Sequence, residues 1–147
     1  MRPNNQGFTL IELLVVITIM TVILSVVLVM LSGATAKGRD SRREEDIKSL
    51  QSALNLYINQ FVAYPLCPQE TVVDGRTDCL STALLEAKVT QGVPKDPKYK
   101  DNEACGGQGV FVYCYQSQNN GTTYTVRYHL ETDSVHGKSA GWQIISP

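Results

Sequence analysis

Residues 7–31 read GFTLIELLVVITIMTVILSVVLVML, a glycine followed by an apolar run in which Glu12 is the only ionisable side chain. Phe8 to Leu31 would extend about 36 Å as an α-helix, against a hydrocarbon core of roughly 30 Å. The run is long enough to cross a membrane and too long for the apolar core of a cleavable secretory signal, about 7 to 15 residues. Thr18, Thr21 and Ser25 do not oppose this reading, because a helical hydroxyl can return to the carbonyl one turn back. Glu12 does oppose it. A carboxylate in hydrocarbon costs on the order of 3 kcal/mol even on lenient insertion scales and marks a functional contact. Glu12 is therefore expected to need a partner that this chain does not supply.

Working outward, no proline interrupts the chain between Pro3 and Pro65, so one helix is expected from about Phe8 to Phe61. Beyond the apolar run the pattern becomes a stripe. Ile47, Leu50, Leu54, Tyr57, Ile58 and Phe61 recur at three- and four-residue steps, with Arg42, Glu45, Lys48, Gln51, Ser52, Asn55 and Asn59 on the opposite, wet face. Between the halves, Ser32, Gly33, Thr35 and Gly38 weaken the helix, each interior glycine costing up to about 1 kcal/mol relative to alanine. The run Lys37 to Lys48, KGRDSRREEDIK, mixes signs closely and is expected to be a solvated helix face with weak local pairs. No aromatic residues interleave with Arg39, Arg42 and Arg43, so nucleic-acid binding is not indicated.

The helix should end before Pro65. A loop with an Asp74-Gly75 turn follows, then a short helix over Leu80–Val89 with Leu80, Ala83, Leu84 and Ala87 inward, stopped by Val93-Pro94-Lys95-Asp96-Pro97. Three antiparallel strands are expected: Val110–Ser117, Thr122–Leu130 and Trp142–Ile145, with Asn120-Gly121 as the hairpin signal between the first two. On the second strand Tyr124, Val126, Tyr128 and Leu130 share the inner face, and Thr125, Arg127 and His129 the outer one. Asn120-Gly121-Thr122 also matches a glycosylation sequon, which the turn explains. The sum is an α+β fold, a long amino-terminal helix packed on a small sheet.

The 147 residues are 43% hydrophobic and 18% charged with a net charge of -1, which excludes both disorder and a strongly basic nucleic-acid binder. A head of under about 90 residues benefits from covalent staples. Cys67 and Cys79 stand 12 apart and Cys105 and Cys114 stand 9 apart, with no zinc-type spacing. Four cysteines allow three connectivities. Nearest-neighbour pairing is the expected one, each loop contributing about 3 kcal/mol in the chain-entropy model. Disulfides place the head in an oxidising compartment. Counting Lys and Arg alone says the reverse, since Lys37, Arg39, Arg42 and Arg43 follow the span and only Arg2 precedes it. The cysteines and the leader described next outweigh that count.

The GFTLIE hexapeptide, Gly7 to Glu12, resembles the processing site of type IV prepilins and type II secretion pseudopilins. In that family a short polar leader ends in Gly, Phe follows, and a Glu stands four residues later in apolar sequence. The resemblance implies four segments: a cleaved leader, 1–7; a transmembrane or filament-core half-helix, 8–31; an amphipathic half, 32–62; and a globular head, 63–147. It implies that an inner-membrane prepilin peptidase cuts between Gly7 and Phe8 and methylates the new amino terminus of Phe8. It also implies that Glu12 faces the Phe8 ammonium of a neighbouring subunit. Further partners would be other copies of the chain or related subunits, an assembly platform protein and its ATPase. The subunit would sit in the inner membrane by a single pass with its head outside, then enter a periplasmic or extracellular filament. Tyr64-Pro65 and the Pro94–Pro97 stretch resemble the connecting region of pseudopilins. The family's helix can lose structure locally on assembly, and here Gly33 to Gly38 would be the place.

No catalytic or cofactor motif is present: no GxSxG, HExxH, P-loop or dinucleotide fingerprint. An enzyme is not expected, nor a cofactor. His129 and His136 flank Glu131 and Asp133, but a strand residue and a turn residue make a poor transition-metal pair. Pseudopilins of this family bind calcium in a carboxyl-terminal loop, for which Glu131, Asp133 and Ser134 would be the oxygen ligands here. The alternative to a filament subunit is a membrane-anchored extracytoplasmic binding module that does not polymerise.

Overall fold

The computed structural model describes residues 7–147. The first six leader residues, Arg2 among them, lie outside the described residues. One helix, α1 (Leu10–Gln60), runs unbroken through Gly33 and Gly38. Two compact units divide between Thr35 and Ala36.

The first unit is the apolar part of α1. The expected hydroxyl bonds are present: Thr18 donates to the Val15 carbonyl (2.8 Å), Thr21 to Thr18 (2.8 Å) and Ser25 to Val22 (2.7 Å). By length and composition the helix could cross a membrane.

The second unit is α+β. After α1 come β1 (Thr71–Val72), α2 (Cys79–Glu86), β2 (Cys114–Gln118), β3 (Thr123–Leu130) and β4 (Gly141–Ile145). The strands form one antiparallel sheet in the order β1-β2-β3-β4. Four strands stand where three were expected, because Thr71 and Val72 pair with Tyr115 and Cys114 at the sheet edge. The first expected strand starts later, at Cys114. The inner face of β3 is as anticipated, with Tyr124, Val126, Tyr128 and Leu130 all buried. These side chains and Tyr113 and Tyr115 form one core with Ile47, Leu50, Ala53 and Leu54 of α1. Tyr57 and Ile58 are half-buried against it, while Phe61 stacks on Tyr57 in the open.

Helix α2 is shorter than expected and is capped by Asp78, whose carboxylate accepts from the Ser81 N–H at 2.9 Å. It buries Leu80, Ser81 and Leu84; Ala83 and Ala87 are only half-buried. Cys67 is joined to Cys79 and Cys105 to Cys114, each pair with Cα atoms 6.0 Å apart. The first bond ties the chain after α1 to the start of α2, and the second ties a long loop to β2.

The turn between β2 and β3 is not a two-residue hairpin. Asn119–Gly121 forms a single 3₁₀ turn in which Asn119, Asn120 and Gly121 all have positive φ. Gly121 is required here for two reasons: its φ is +79°, and a Cβ would lie 2.8 Å from the Tyr64 carbonyl oxygen and 3.1 Å from the Ala63 Cβ. The Gly121 carbonyl in turn accepts from the Tyr64 N–H at 2.8 Å. Gly121→Ala should therefore destabilise the head by about 1 to 3 kcal/mol. Gly109→Ala, also at positive φ but in open space, should cost less. Thermal unfolding of the two variants checks this; equal melting temperatures would remove the steric half of the explanation.

Candidate functional site

At the start of α1, Thr9 is the last residue before the helix and Glu12 is its third residue. The Thr9 N–H donates to Glu12 Oε2 (3.0 Å), the Thr9 hydroxyl donates to the same oxygen (2.9 Å), and the Glu12 N–H donates to Thr9 Oγ1 (3.3 Å). This is a capping box, in which residue and cap satisfy one another's orphan groups. It corrects the expectation that the chain provides nothing for Glu12: hydrogen-bond donors come from Thr9. A countercharge does not come from any described residue. The Thr-x-x-Glu spacing was the signal for the box, and the apolar context hid it.

Around the carboxylate the surface is hydrocarbon. A recess of about 370 Å³ is lined by Phe8, Ile11, Glu12, Val15 and Val16. Phe8 is 81% exposed, and the described large apolar side chains as far as Leu31 are 47% exposed or more. Gly7 has open space where a Cβ would be. The motif is thus an accessible peptide bond, Gly7–Phe8, followed by a pre-positioned carboxylate on an uncovered apolar rod.

In the head, the charged run is the expected solvated face only in part: Lys37, Arg42, Glu45 and Lys48 are exposed, but one side of the run turns inward. Asp40 and Arg43 are fully buried. Arg43 Nε and Nη2 donate to the two oxygens of Asp96 (2.6 and 3.0 Å), and Nη1 donates to Asp40 Oδ1 and Glu131 Oε1 (both 2.7 Å). Arg39 forks onto Glu131 at 2.7 and 2.6 Å, and Lys98 reaches the same carboxylate at 3.5 Å. Asp40 accepts from the N–H groups of Glu131 (2.9 Å) and Thr132 (2.8 Å) and from the Thr132 hydroxyl (2.7 Å). Three cations meet three carboxylates. The cluster joins α1, the Pro94–Pro97 stretch and the end of β3.

The electrostatics follow from these bonds. The hydrogen bonds from Arg39, against some desolvation and with further help from Arg43, push the Glu131 carboxyl down to about 2. Burial disfavours the charged form of Asp40, yet the donors from Glu131, Thr132 and Arg43 hold its carboxyl below the usual range. Nearby, Lys138 donates to both oxygens of Glu44 (2.8 Å each) and to the Tyr128 hydroxyl (2.5 Å). Burial, with the Glu44 bond, pushes that phenol up to about 12.

The residues considered for calcium are therefore already engaged. Glu131 serves three cations, Asp133 accepts from the Ala140 N–H at 2.6 Å, and the Ser134 hydroxyl is hydrogen-bonded to the Thr132 hydroxyl at 2.7 Å, donating to it because Thr132 gives its own proton to Asp40. His129 lies on β3 between the rings of Phe111 and Trp142, and His136 is exposed in the following loop.

Residues 2–32 match the family model described as the prokaryotic N-terminal methylation motif. The chain is similar to the type II secretion system core protein G of Vibrio cholerae, 32% identical over 96 residues, which is 64% of this chain and 66% of that protein. It is 38% identical over 68 residues to the protein of that name from Klebsiella michiganensis, covering 46% of this chain and 48% of the other. With the protein of that name from Pectobacterium carotovorum it shares 41% over 66 residues, 45% and 42% of the two chains. The matches thus span about half to two thirds of these relatives' lengths. No solved structure matches the chain.

Proposed function

We propose, from the premise that this chain belongs to the type IV pilin and type II secretion pseudopilin family, that it is a structural subunit of a type II secretion-type pseudopilus. The observation that carries the reading is Glu12: one carboxylate, held by Thr9 but without a countercharge among the described residues, on an otherwise apolar exposed helix. Hydrolysis of the Gly7–Phe8 amide by a prepilin peptidase creates an ammonium at Phe8. Methylation of that nitrogen keeps its charge. In a growing filament the Phe8 ammonium of one subunit faces Glu12 of its neighbour, and in low dielectric two such charges attract strongly where either alone pays a large desolvation cost. The head lies outside the inner membrane, which two disulfides support. Assembly then needs a platform protein and an ATPase to move each subunit out of the bilayer.

The test is a substitution series in the full chain, read as leader cleavage by mass and as filament yield after shearing. Gly7→Ala should lower cleavage. Glu12→Val and Glu12→Ala should be cleaved but lose filament yield at least about tenfold, as expected when one partner of a desolvated pair is removed. Glu12→Gln is the informative variant: it can keep the capping box with Thr9 but not the charge, and it should fail as Glu12→Val does. Normal processing and assembly in all four would end the filament reading.

A further inference from the structure

The head carries its charges unevenly. Residues 49–69 and 104–126 contain no Asp, Glu, Lys or Arg. The fold brings these two stretches together: the Tyr115 hydroxyl donates to the Pro65 carbonyl (2.9 Å), the Ser117 N–H to the Cys67 carbonyl (3.0 Å), and the Gln116 amide to the Pro68 carbonyl (2.9 Å). The charge-free end so formed has an apolar surface. Val62 is fully exposed, Leu66 is 65% exposed, and Leu56 and Phe61 are about half exposed. Beside Leu66 a groove of about 460 Å³ runs between Pro68 and the Gln118–Asn120 turn. Of the head's exposed large apolar side chains, only Ile144 lies elsewhere. Exposed apolar side chains on charge-free stretches, beside a groove lined by uncharged Gln116, Ser117, Gln118, Asn119 and Asn120, have the composition of an interface.

We infer that this end of the head is a subunit contact, and that its occupant is the apolar helical segment, residues 8–31, of a second copy of the chain. The inference rests on the filament reading above. Two observations select this occupant. Residues 8–31 form the other large uncovered apolar surface among the described residues, and apart from Glu12 they too are free of charge. A contact between two different surfaces on two copies is also heterologous and repeats without closing, whereas patch on patch about a two-fold axis stops at a dimer. Only the first geometry extends a filament.

The experiment places the photo-crosslinker p-benzoylphenylalanine at position 62 of the full chain in assembling cells, and maps the adduct by mass spectrometry. An adduct to residues 8–31 of a second copy is expected, and it should vanish when Glu12→Val is added. In parallel, Val62→Glu and Leu66→Glu should lower sheared filament yield at least about tenfold, the least expected for forcing an unpaired carboxylate into an apolar contact. Because both side chains are exposed, leader cleavage and head melting temperature should be unchanged. An adduct to lipid, to the same patch of a second copy, or to another protein overturns the inference, as does normal filament yield from both glutamate variants. Absence of filaments from the unaltered chain is a different result: it overturns the filament reading itself.

Discussion

Arg43→Ala should strongly destabilise the head. The substitution removes the one cation shared by Asp40, Asp96 and Glu131, all held within 3.0 Å of it, and leaves the buried carboxylates of Asp40 and Asp96 unneutralised. Breaking a buried ion pair by deleting one partner costs about 3 to 5 kcal/mol. A small domain has only about 5 to 15 kcal/mol in total. The melting temperature of the head, followed by near-ultraviolet circular dichroism of its tyrosines in the detergent-solubilised chain, should drop by more than about 12 °C. Arg43→Lys should fall between, since an ammonium keeps the charge but cannot fork onto Asp96. Arg43→Met combined with Asp40→Asn and Asp96→Asn should recover much of the loss, because an uncharged cluster leaves no orphan ion. A melting temperature unmoved by Arg43→Ala would mean that the cluster is hydrated and energetically idle.

The same cluster makes the head acid-sensitive. Glu131 has a folded-state value of about 2 against an ordinary 4.5. A carboxyl depressed by folding contributes stability that is fully present above the unfolded value and is lost as pH falls toward the folded one. The window is thus from about pH 5 down to about pH 2, and Glu131 alone is worth about 3 kcal/mol across it. Asp40 acts in the same direction, its depressed carboxyl losing stability in acid. Asp46 and Asp78 act oppositely, because burial raises both and protonation relieves them. The net expectation is a melting temperature that falls steeply below pH 5. In Glu131→Gln the curve should start lower at pH 7 and be flatter through this window. Parallel curves for the two proteins would refute the assignment to Glu131.

Much of this fold was legible in the chain because its signals are local. The stripe from Ile47 to Leu54, the alternation in Thr123–Leu130 and the break before Pro65 each declare themselves within about fifteen residues. β1 did not, because two residues between Pro68 and the Asp74-Gly75 turn are too few to show a period. The ionic cluster was missed for a different reason. Arg43 finds Asp96 53 positions away and Glu131 88 positions away, and nothing in KGRDSRREEDIK names those partners. One local clue did exist: Asp40 and Arg43 precede Ile47 by seven and four residues, in phase with the buried stripe. Phase, rather than residue type, marked them as interior. At the amino terminus the balance was reversed: the spacing of Gly7, Phe8 and Glu12 pointed to a processing and assembly motif directly. The box with Thr9 is less visible there, because a Thr-x-x-Glu spacing inside a membrane-length apolar run does not stand out as a helix start.

The hydroxyls of Thr18, Thr21 and Ser25 are each turned back onto their own helix. To anything alongside it, the rod from Leu13 to Leu31 therefore presents hydrocarbon and little else. Acyl chains and leucine side chains are nearly equivalent solvents for such a surface. Exchanging one for the other has a partition coefficient near unity, so the proposed transfer from a bilayer to a bundle of like helices would change the free energy little along most of the rod. The free-energy difference between the two environments is then concentrated in its first turn, at a single titratable oxygen pair.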